Sequence, residues 1–440
     1  LNFSQVSKYL DDALIFGIKP SLTRINKILQ LMGDPHKDID FIHIVGTNGK
    51  TSTAVMLAGI LKGQGIKSAY HISPHISSYT ERILIDGSDM TEEKFAKTFD
   101  GIYPYIEEVN RLDLGGPITQ FEIITAMAFV AARNSGTEVM VLEAGMGGRW
   151  DATNAADAKV AGLTGISLEH TQILGGTIPE IAAEKVEVIK KRAKAATISS
   201  DPGVIDIIGK QASSMEADLY LYGRDFNISS SESRDLAGWK IGIEGIYGKY
   251  SGIEIPLIGD YQPLNLSLAI VLAELYMDTI DRKLDAGPIN NSLAGIYVKG
   301  RLEMIKKDPL VFSDVSHNPE SMDKFSRVME EYFRSRKKTI IFAVLSDKDY
   351  EAMIGKVLGV ADRLILSSSH ISRSLSVAKL QQKTAEIMKN SSGDIKMPEE
   401  VYAMDSVENS LNYALKISGT NDIICITGSP TNLAGLDKII

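Results

Sequence analysis

The sequence predicts an α/β fold in two domains, a larger N-terminal parallel sheet flanked by helices and a smaller C-terminal domain of the same class. Three observations predict it. Apolar runs of strand length alternate with helical patterns through most of the chain, which marks a parallel sheet covered on both faces. A strand, a glycine-rich loop and a helix follow one another over residues 41–65. At 440 residues the chain exceeds what one ordinary core holds.

The first strand is "FIHIVG" (41–46). The loop after it, "GTNGKTS", ends as the phosphate-loop pattern G-x-x-x-x-G-K-[ST] does, with Gly49, Lys50 and Thr51, but Ile44 stands where the leading glycine belongs. Ala54, Leu57, Ala58 and Leu61 then recur at helical spacing, and Gly65 supplies a left-handed stop. Strand, loop and helix in this order predict a P-loop ATPase-type sheet.

"TQFEIITAMAFVAARN" opens with Thr119 and Glu122 at capping-box spacing and reads as an apolar helix. It leads to a strand, "EVMVLE" (138–143), and "KVAGLTG" (159–165) is the next. A helix capped by Thr177 and Glu180 is expected to run to about Lys194. Residues 217–258 change character and suggest β-hairpins, a small β-rich subregion of the first domain, before "GDYQPLNLSLAIVLAELYM" returns to a helix. Beyond Arg301, "LVFSDV", "TIIFAVL", "DRLILSSS" and "DIICITG" alternate as strands with helices, enough for a Rossmann-like domain. The hinge is placed near Tyr297 to Gly300, giving domains 1–298 and 299–440.

The net charge of −9 argues against a nucleic-acid surface, which needs a basic stripe. The single cysteine, Cys425, rules out internal disulfides and lies in an apolar run, where burial is its expected fate. No apolar stretch reaches the roughly 18 to 20 residues of a membrane span, and the first residues lack a signal-peptide layout. A cytoplasmic protein is expected.

Several residues carry chemistry by type and place. Backbone N–H groups of Gly46, Thr47, Asn48, Gly49, Lys50, Thr51 and Ser52 at a helix start favour phosphate, with Lys50 reaching outer phosphates and the Thr51 hydroxyl approaching magnesium. Glu143 ends a buried strand at the crevice where such sheets bind ligands. Gly145, Gly147 and Gly148 allow a tight turn after it. His170 follows the next strand and is placed to join Glu143 on a hard cation. Lys185 falls on the apolar face set by Ile178, Ile181, Ala182, Val188 and Ile189, so its ammonium must be paired, neutralised, covalently altered or snorkelled to the rim. In the second domain, "SDVSHNP" puts Asp314 at a strand end and His317 at a helix start, and "ITGSP" puts Ser429 at another strand end. Those polar groups share one rim and are expected to face a cleft.

"GTNGKTS", "SPHISSYTERI", "FEIITAMAF", "LEAGMGGRWDATN", "EHTQILGGTIPEIAAEKVEVIK", "GDYQPLNLSLAI", "GRLE", "DVSHNP", "LSDKD" and "TGSP" occur in the order seen in folylpolyglutamate and dihydrofolate synthases of the Mur ligase superfamily. The chain resembles that family over nearly its whole length. It departs in Thr51, where the folate enzymes usually carry glycine, in "DVSHNP" for D-G-A-H-N-P, and in "EKVEV" for E-K-A-G-I. The resemblance implies a cytoplasmic, monomeric ATP-dependent ligase that adds L-glutamate to a folate carboxylate through an acyl phosphate, with dihydropteroate as a further acceptor. A Mur-type ligase for a different carboxylate is the alternative, and an ATP-driven switch without ligation is a third. By the same resemblance, Ser73 and Glu143 bind one magnesium and Glu143 with His170 a second, supported by Lys185 as a carbamate. Asn265, Arg301 and Asp314 contact ATP; Asp314, His317 and Ser429 serve glutamate.

Overall fold

Five of the six side chains of Asp40–Val45 are buried, as a strand covered on both faces requires. This strand, β1, lies inside an eight-stranded sheet with β2 (Ser68–His71), β3 (Ile83–Ile85), β4 (Ser88–Asp89), β5 (Val139–Glu143), β6 (Val160–Leu163), β7 (Lys194–Thr197) and β8 (Asp218–Leu221), in the order β4-β3-β2-β5-β1-β6-β7-β8. From β2 to β8 the pairings are parallel; β3 and β4 add an antiparallel edge. Because β1 pairs with β5 on one side and β6 on the other, its C-terminal loop is flanked by the ends of both neighbours, including Glu143 opposite Ile44.

The computed structural model describes residues 1–14, 17, 19–390 and 396–436. Its residues divide into one unit of Leu1–Ser233, Trp239–Pro256 and Gln262–Ile296, and another of Arg234–Gly238, Leu257–Tyr261 and Tyr297–Ile440.

In the first unit, helices Phe3–Ala13, Thr23–Leu31, Glu92–Arg111 and Gln120–Asn134 contribute to one apolar cluster, while Ile178–Lys185 and Pro202–Ser214 contribute to another. Capping boxes form at Thr119 with Glu122 and at Thr177 with Glu180, as their spacing predicts. The second of these helices stops at Lys185, however, well short of Lys194. The β-branched Val186 and Val188 pass through a short 3₁₀ turn, and Lys194–Thr197 is taken up as β7 beside β6. Sheet pairing there overrides the helical preference of "KKRAKAA".

The region 217–258 also divides. β8 is a parallel edge of the large sheet, whereas β9 (Asn227–Ser233), β10 (Trp239–Glu244) and β11 (Lys249–Ile255) make the antiparallel hairpins expected. Buried Glu274 in the helix Gln262–Thr279 accepts N–H groups of Ile246 and Tyr247 and the hydroxyl of Tyr250, tying the β10–β11 turn to that helix.

The second unit holds β12 (Glu303–Lys307), β13 (Leu310–Ser313), β14 (Lys338–Phe342), β15 (Arg363–Leu366), β16 (Glu400–Ala403) and β17 (Ile423–Thr427), in the order β12-β13-β17-β14-β15-β16. All pairings are parallel except β12 with β13. β12 and β16 escape the sequence pattern because edge strands carry only a weak apolar signal. Cys425 is buried, its sulfur 3.6 Å from Met329 Sδ, and burial pushes its thiol well above the ordinary range.

Candidate active site

Two glycines shape the loop after β1. Gly46 has φ 147° and a side chain there would overlap the Thr164 hydroxyl; Gly49 has φ 91° and a Cβ there would lie 2.5 Å from Asn265 Oδ1. Both positions therefore exclude a side chain twice over, by torsion and by space. Thr47 N donates to Gly165 O at 2.8 Å and Ser167 N donates to Thr47 Oγ1 at 3.0 Å, clamping the loop to the segment after β6. Asn48 and Gly165 form an isolated antiparallel β-bridge, and Ser52 is buried in the helix Lys50–Gly63. Asn265 is held in turn by donating from Nδ2 to Gln262 Oε1 at 3.1 Å.

The charged groups converge on this loop. Lys50 Nζ folds back onto the carbonyls of Gly46 and Thr47, at 2.8 and 2.9 Å. The Thr51 hydroxyl lies 3.0 Å from each oxygen of Glu143, whose Oε2 also accepts Ser73 N at 3.3 Å. Glu143 is only 2% exposed. Nearby Arg82 is pulled down to about 10 by burial, which Tyr79, Glu81 and Glu143 partly offset.

Lys185 is 1% exposed, so it does not snorkel. Its Nζ donates to Glu169 Oε1 at 2.6 Å and to Gly46 O at 2.9 Å. Of the ways to satisfy a buried amine, this structure shows pairing. Burial pushes the lysine down from its ordinary value, Glu169 opposes that shift, and the neighbouring Lys50 charge adds to it. Burial alone would raise Glu169, but Lys185 and Lys50 hold it well below the usual carboxylate range. His170 follows directly, with a left-handed φ of 47°, at the start of the short helix Thr171–Leu174.

For a hard divalent ion the donor chemistry around Glu143 fits. A carboxylate and a hydroxyl meet there beside a phosphate-type loop, and magnesium takes one or two such protein oxygens plus those of the nucleotide. Among the described residues no three His, Cys, Asp or Glu side chains gather as a metal cluster. Lys185 as an ammonium is a cation and suits a metal only if altered.

The second unit has its own polar rim. Asp314, just past β13, is buried; it accepts Ser316 N at 2.8 Å and Leu302 N at 3.3 Å, and burial raises its pKa, with Arg301 among the groups that lower it. His317 Nδ1 lies 2.8 Å from Val315 O, and since a carbonyl only accepts, that nitrogen carries the proton. Asn318 caps the helix Pro319–Tyr332 reciprocally with Ser321. Ser429 follows β17 and pairs with the Thr431 hydroxyl at 2.8 Å.

Glu169 and Gln262 are the residues that sequence reasoning missed. Glu169 had a signal, an acid next to His170 just past a strand. Gln262 had only its place one helical turn before Asn265.

The Mur ligase middle domain family matches residues 44–273, and the Mur ligase glutamate ligase domain family matches residues 300–430. The dihydrofolate synthase/folylpolyglutamate synthase of Mycobacterium tuberculosis is 33% identical over 386 residues, which cover 84% of this chain and 78% of that protein. The Bacillus subtilis protein of the same name is 29% identical over 428 residues, covering 97% and 96%. Mycobacterium tuberculosis folylpolyglutamate synthase complexed with ADP superimposes with a TM-score of 0.91 at 29% identity, over 99% of this chain and 98% of that one.

Proposed function

The chain belongs to the Mur ligase superfamily, in its folylpolyglutamate and dihydrofolate synthase branch, and from that premise we propose that it couples L-glutamate to a folate carboxylate at the expense of ATP. The observation that carries the reading is the Thr51 hydroxyl lying 3.0 Å from both oxygens of Glu143, where the glycine loop ends and the helix Lys50–Gly63 begins. A nucleotide held at this loop by N–H groups other than that of Thr47, which is spent on Gly165 O, would bring its γ-phosphate within reach of Lys50 once Nζ leaves the carbonyls of Gly46 and Thr47. The folate carboxylate oxygen attacks the γ-phosphorus and ADP leaves. The glutamate amine then attacks the acyl carbon, and the tetrahedral intermediate collapses with loss of phosphate and a proton. Positioning and charge neutralisation are what the chain supplies.

Glu143, with the hydroxyls of Thr51 and Ser73, would hold one magnesium ion, and Glu143 with His170 and a carbamylated Lys185 a second. Bound there, the metal lets phosphate and carboxylate anions approach each other. Reaching the second arrangement means that Lys185 exchanges its contact with Glu169 for the carbamate. Asn265, Arg301 and Asp314 serve the nucleotide; Asp314, His317 and Ser429 serve glutamate. We place the enzyme in the cytoplasm as a monomer; no helix among the described residues is long and apolar enough to cross a membrane.

The test is incubation of the protein with ATP, magnesium and labelled glutamate, offering tetrahydrofolate, dihydropteroate or no acceptor. Glutamate incorporation with ADP release that depends on a pteridine acceptor is expected. Intact ATP binding without incorporation into either pteridine would favour a Mur-type ligase for another carboxylate, and acceptor-independent ATP turnover would favour a switch.

A further inference from the structure

Residues 72–82 join β2 to β3 in a loop that closes on itself at the neck, where Arg82 O accepts Ile72 N at 3.1 Å and lies 3.0 Å from His71 Nδ1. Inside the loop one carboxylate gathers three backbone donors: Glu81 accepts the N–H groups of Ile76, Ser77 and Ser78 at 2.8 to 3.1 Å. Arg82 Nε donates to His75 Nδ1 at 2.8 Å, and the His75 ring centre lies 4.3 Å from that of Tyr79. Knitted in this way, the loop behaves as one piece. Ser73, whose N–H reaches Glu143 Oε2 at 3.3 Å, belongs to it.

The Tyr79 hydroxyl fixes how that piece is oriented. It donates to Asp11 Oδ1 at 2.7 Å and accepts from Gln120 Nε2 at 2.6 Å. The same amide nitrogen donates to Leu10 O at 3.0 Å. One phenol oxygen thereby joins the loop to the helix Phe3–Ala13 and to the first residue of the helix Gln120–Asn134. Burial, reinforced by Asp11, pushes the phenol well above its ordinary range, so it keeps the proton it donates. Packing alone already seats the helix Phe3–Ala13, since Val6, Leu10 and Ala13 are buried in the apolar cluster that also takes in Tyr79 and Phe95. Apolar burial is non-directional, whereas a hydrogen bond has a preferred angle. The two bonds at the Tyr79 hydroxyl therefore add orientation to a loop that packing holds in place.

We propose that Tyr79, anchored by Asp11, is a positioning residue for the metal site, setting the orientation of the loop 72–82 and with it the placement of Ser73 against Glu143. The inference rests on the reading above that Ser73 holds magnesium. Magnesium demands near-ideal octahedral geometry, so a small turn of the loop suffices to weaken the bond from the Ser73 hydroxyl. The glycine loop after β1 is clamped to a different segment, through Thr47 to Gly165 and Ser167. Loss of the Tyr79 tether should then weaken metal binding and leave nucleotide binding alone.

Mn²⁺, which favours the same oxygen ligands as magnesium, serves as the probe. It is titrated into the full chain saturated with a non-hydrolysable ATP analogue and followed by the electron paramagnetic resonance signal of the free ion, with thermal melts of each variant. We expect Ser73→Ala, Tyr79→Phe and Asp11→Ala each to raise the Mn²⁺ Kd about five- to ten-fold, with the Kd of the metal-free nucleotide within about two-fold of wild type. Asp11→Asn, whose amide oxygen still accepts the phenol proton, should bind Mn²⁺ as the wild type does. If Ser73→Ala leaves the Mn²⁺ Kd unchanged, the assignment of Ser73 fails and this inference with it. If Ser73→Ala raises it while Tyr79→Phe and Asp11→Ala lower only the melting temperature, the tether is merely structural and this inference alone is overturned.

Discussion

Lys185 Nζ stands 2.6 Å from Glu169 Oε1 in a place where the lysine is 1% exposed, so a buried charge near the glycine loop after β1 is answered by one carboxylate and one loop carbonyl. Removing one member of such a pair strands the other. Glu169→Gln should therefore lower stability by about 3 kcal/mol, read as a lower urea midpoint. Adding Lys185→Met to that variant should recover part of the loss, because both charges are then gone. A wild-type midpoint for Glu169→Gln alone would show that the pair does not hold this part of the fold.

Thr51 touches both oxygens of Glu143. Thr51→Val keeps the shape and removes the hydroxyl, so kcat should fall roughly 10- to 100-fold while Thr51→Ser stays near wild type. Lys50→Ala should cost more, about 100- to 1000-fold in ATP turnover, by removing the cation proposed for the outer phosphates. Unchanged turnover in Lys50→Ala would remove the loop from the mechanism.

Gly49 has no room for a methyl group beside Asn265 Oδ1. Gly49→Ala should weaken ADP binding at least about ten-fold by calorimetry, through displacement of Asn265 and strain at positive φ. Gly209, in the middle of the helix Pro202–Ser214 with open space around it, is the control. Gly209→Ala should leave ADP affinity alone and add about 0.5–1 kcal/mol of stability.

His43 and His71 are fully buried, and burial pulls them down to about 3 and about 4 from an ordinary value of 6.5. His43 Nε2 meets the Thr153 hydroxyl at 2.8 Å and His71 Nδ1 the Arg82 carbonyl at 3.0 Å. Between pH 6.5 and those lowered values the unfolded chain binds protons that the folded chain refuses. Their contribution is thus complete above pH 6.5 and is lost as the pH falls toward 4 and then 3. Urea midpoints should drop steadily across that window, and His43→Gln, which still offers an N–H to Thr153, should make the drop shallower. Identical pH profiles for wild type and variant would assign the acid sensitivity to other groups.

Much of the first unit is readable from neighbours in sequence. The order strand, glycine loop, helix at residues 41–65, the capping boxes at Thr119 and Thr177, and the placing of Glu143 at a strand end all rest on signals a few residues apart. Lys185 was legible as a problem, since its position on an apolar helix face demanded some answer. Which answer could not be read, because Glu169 comes from a different segment and is aimed by the turn after β6. The stretch after Lys185 misled for a related reason: its lysines and alanines suit a helix, and only the vacancy beside β6 makes residues 194–197 a strand. β12 and β16 stayed hidden because edge strands bury too little to leave an apolar alternation.

By itself the amino-acid sequence determined the α/β class, the phosphate-type loop, the single buried thiol and the residue types available for chemistry, because periodicity, caps and glycine torsions act over one or two turns of chain. Tertiary structure alone decided which of those residues meet. Thr51 with Glu143, Gly49 with Asn265 and Ser369 with Thr431 are brought together by strand order and crossover. No local preference encodes a contact between residues 62 or more positions apart.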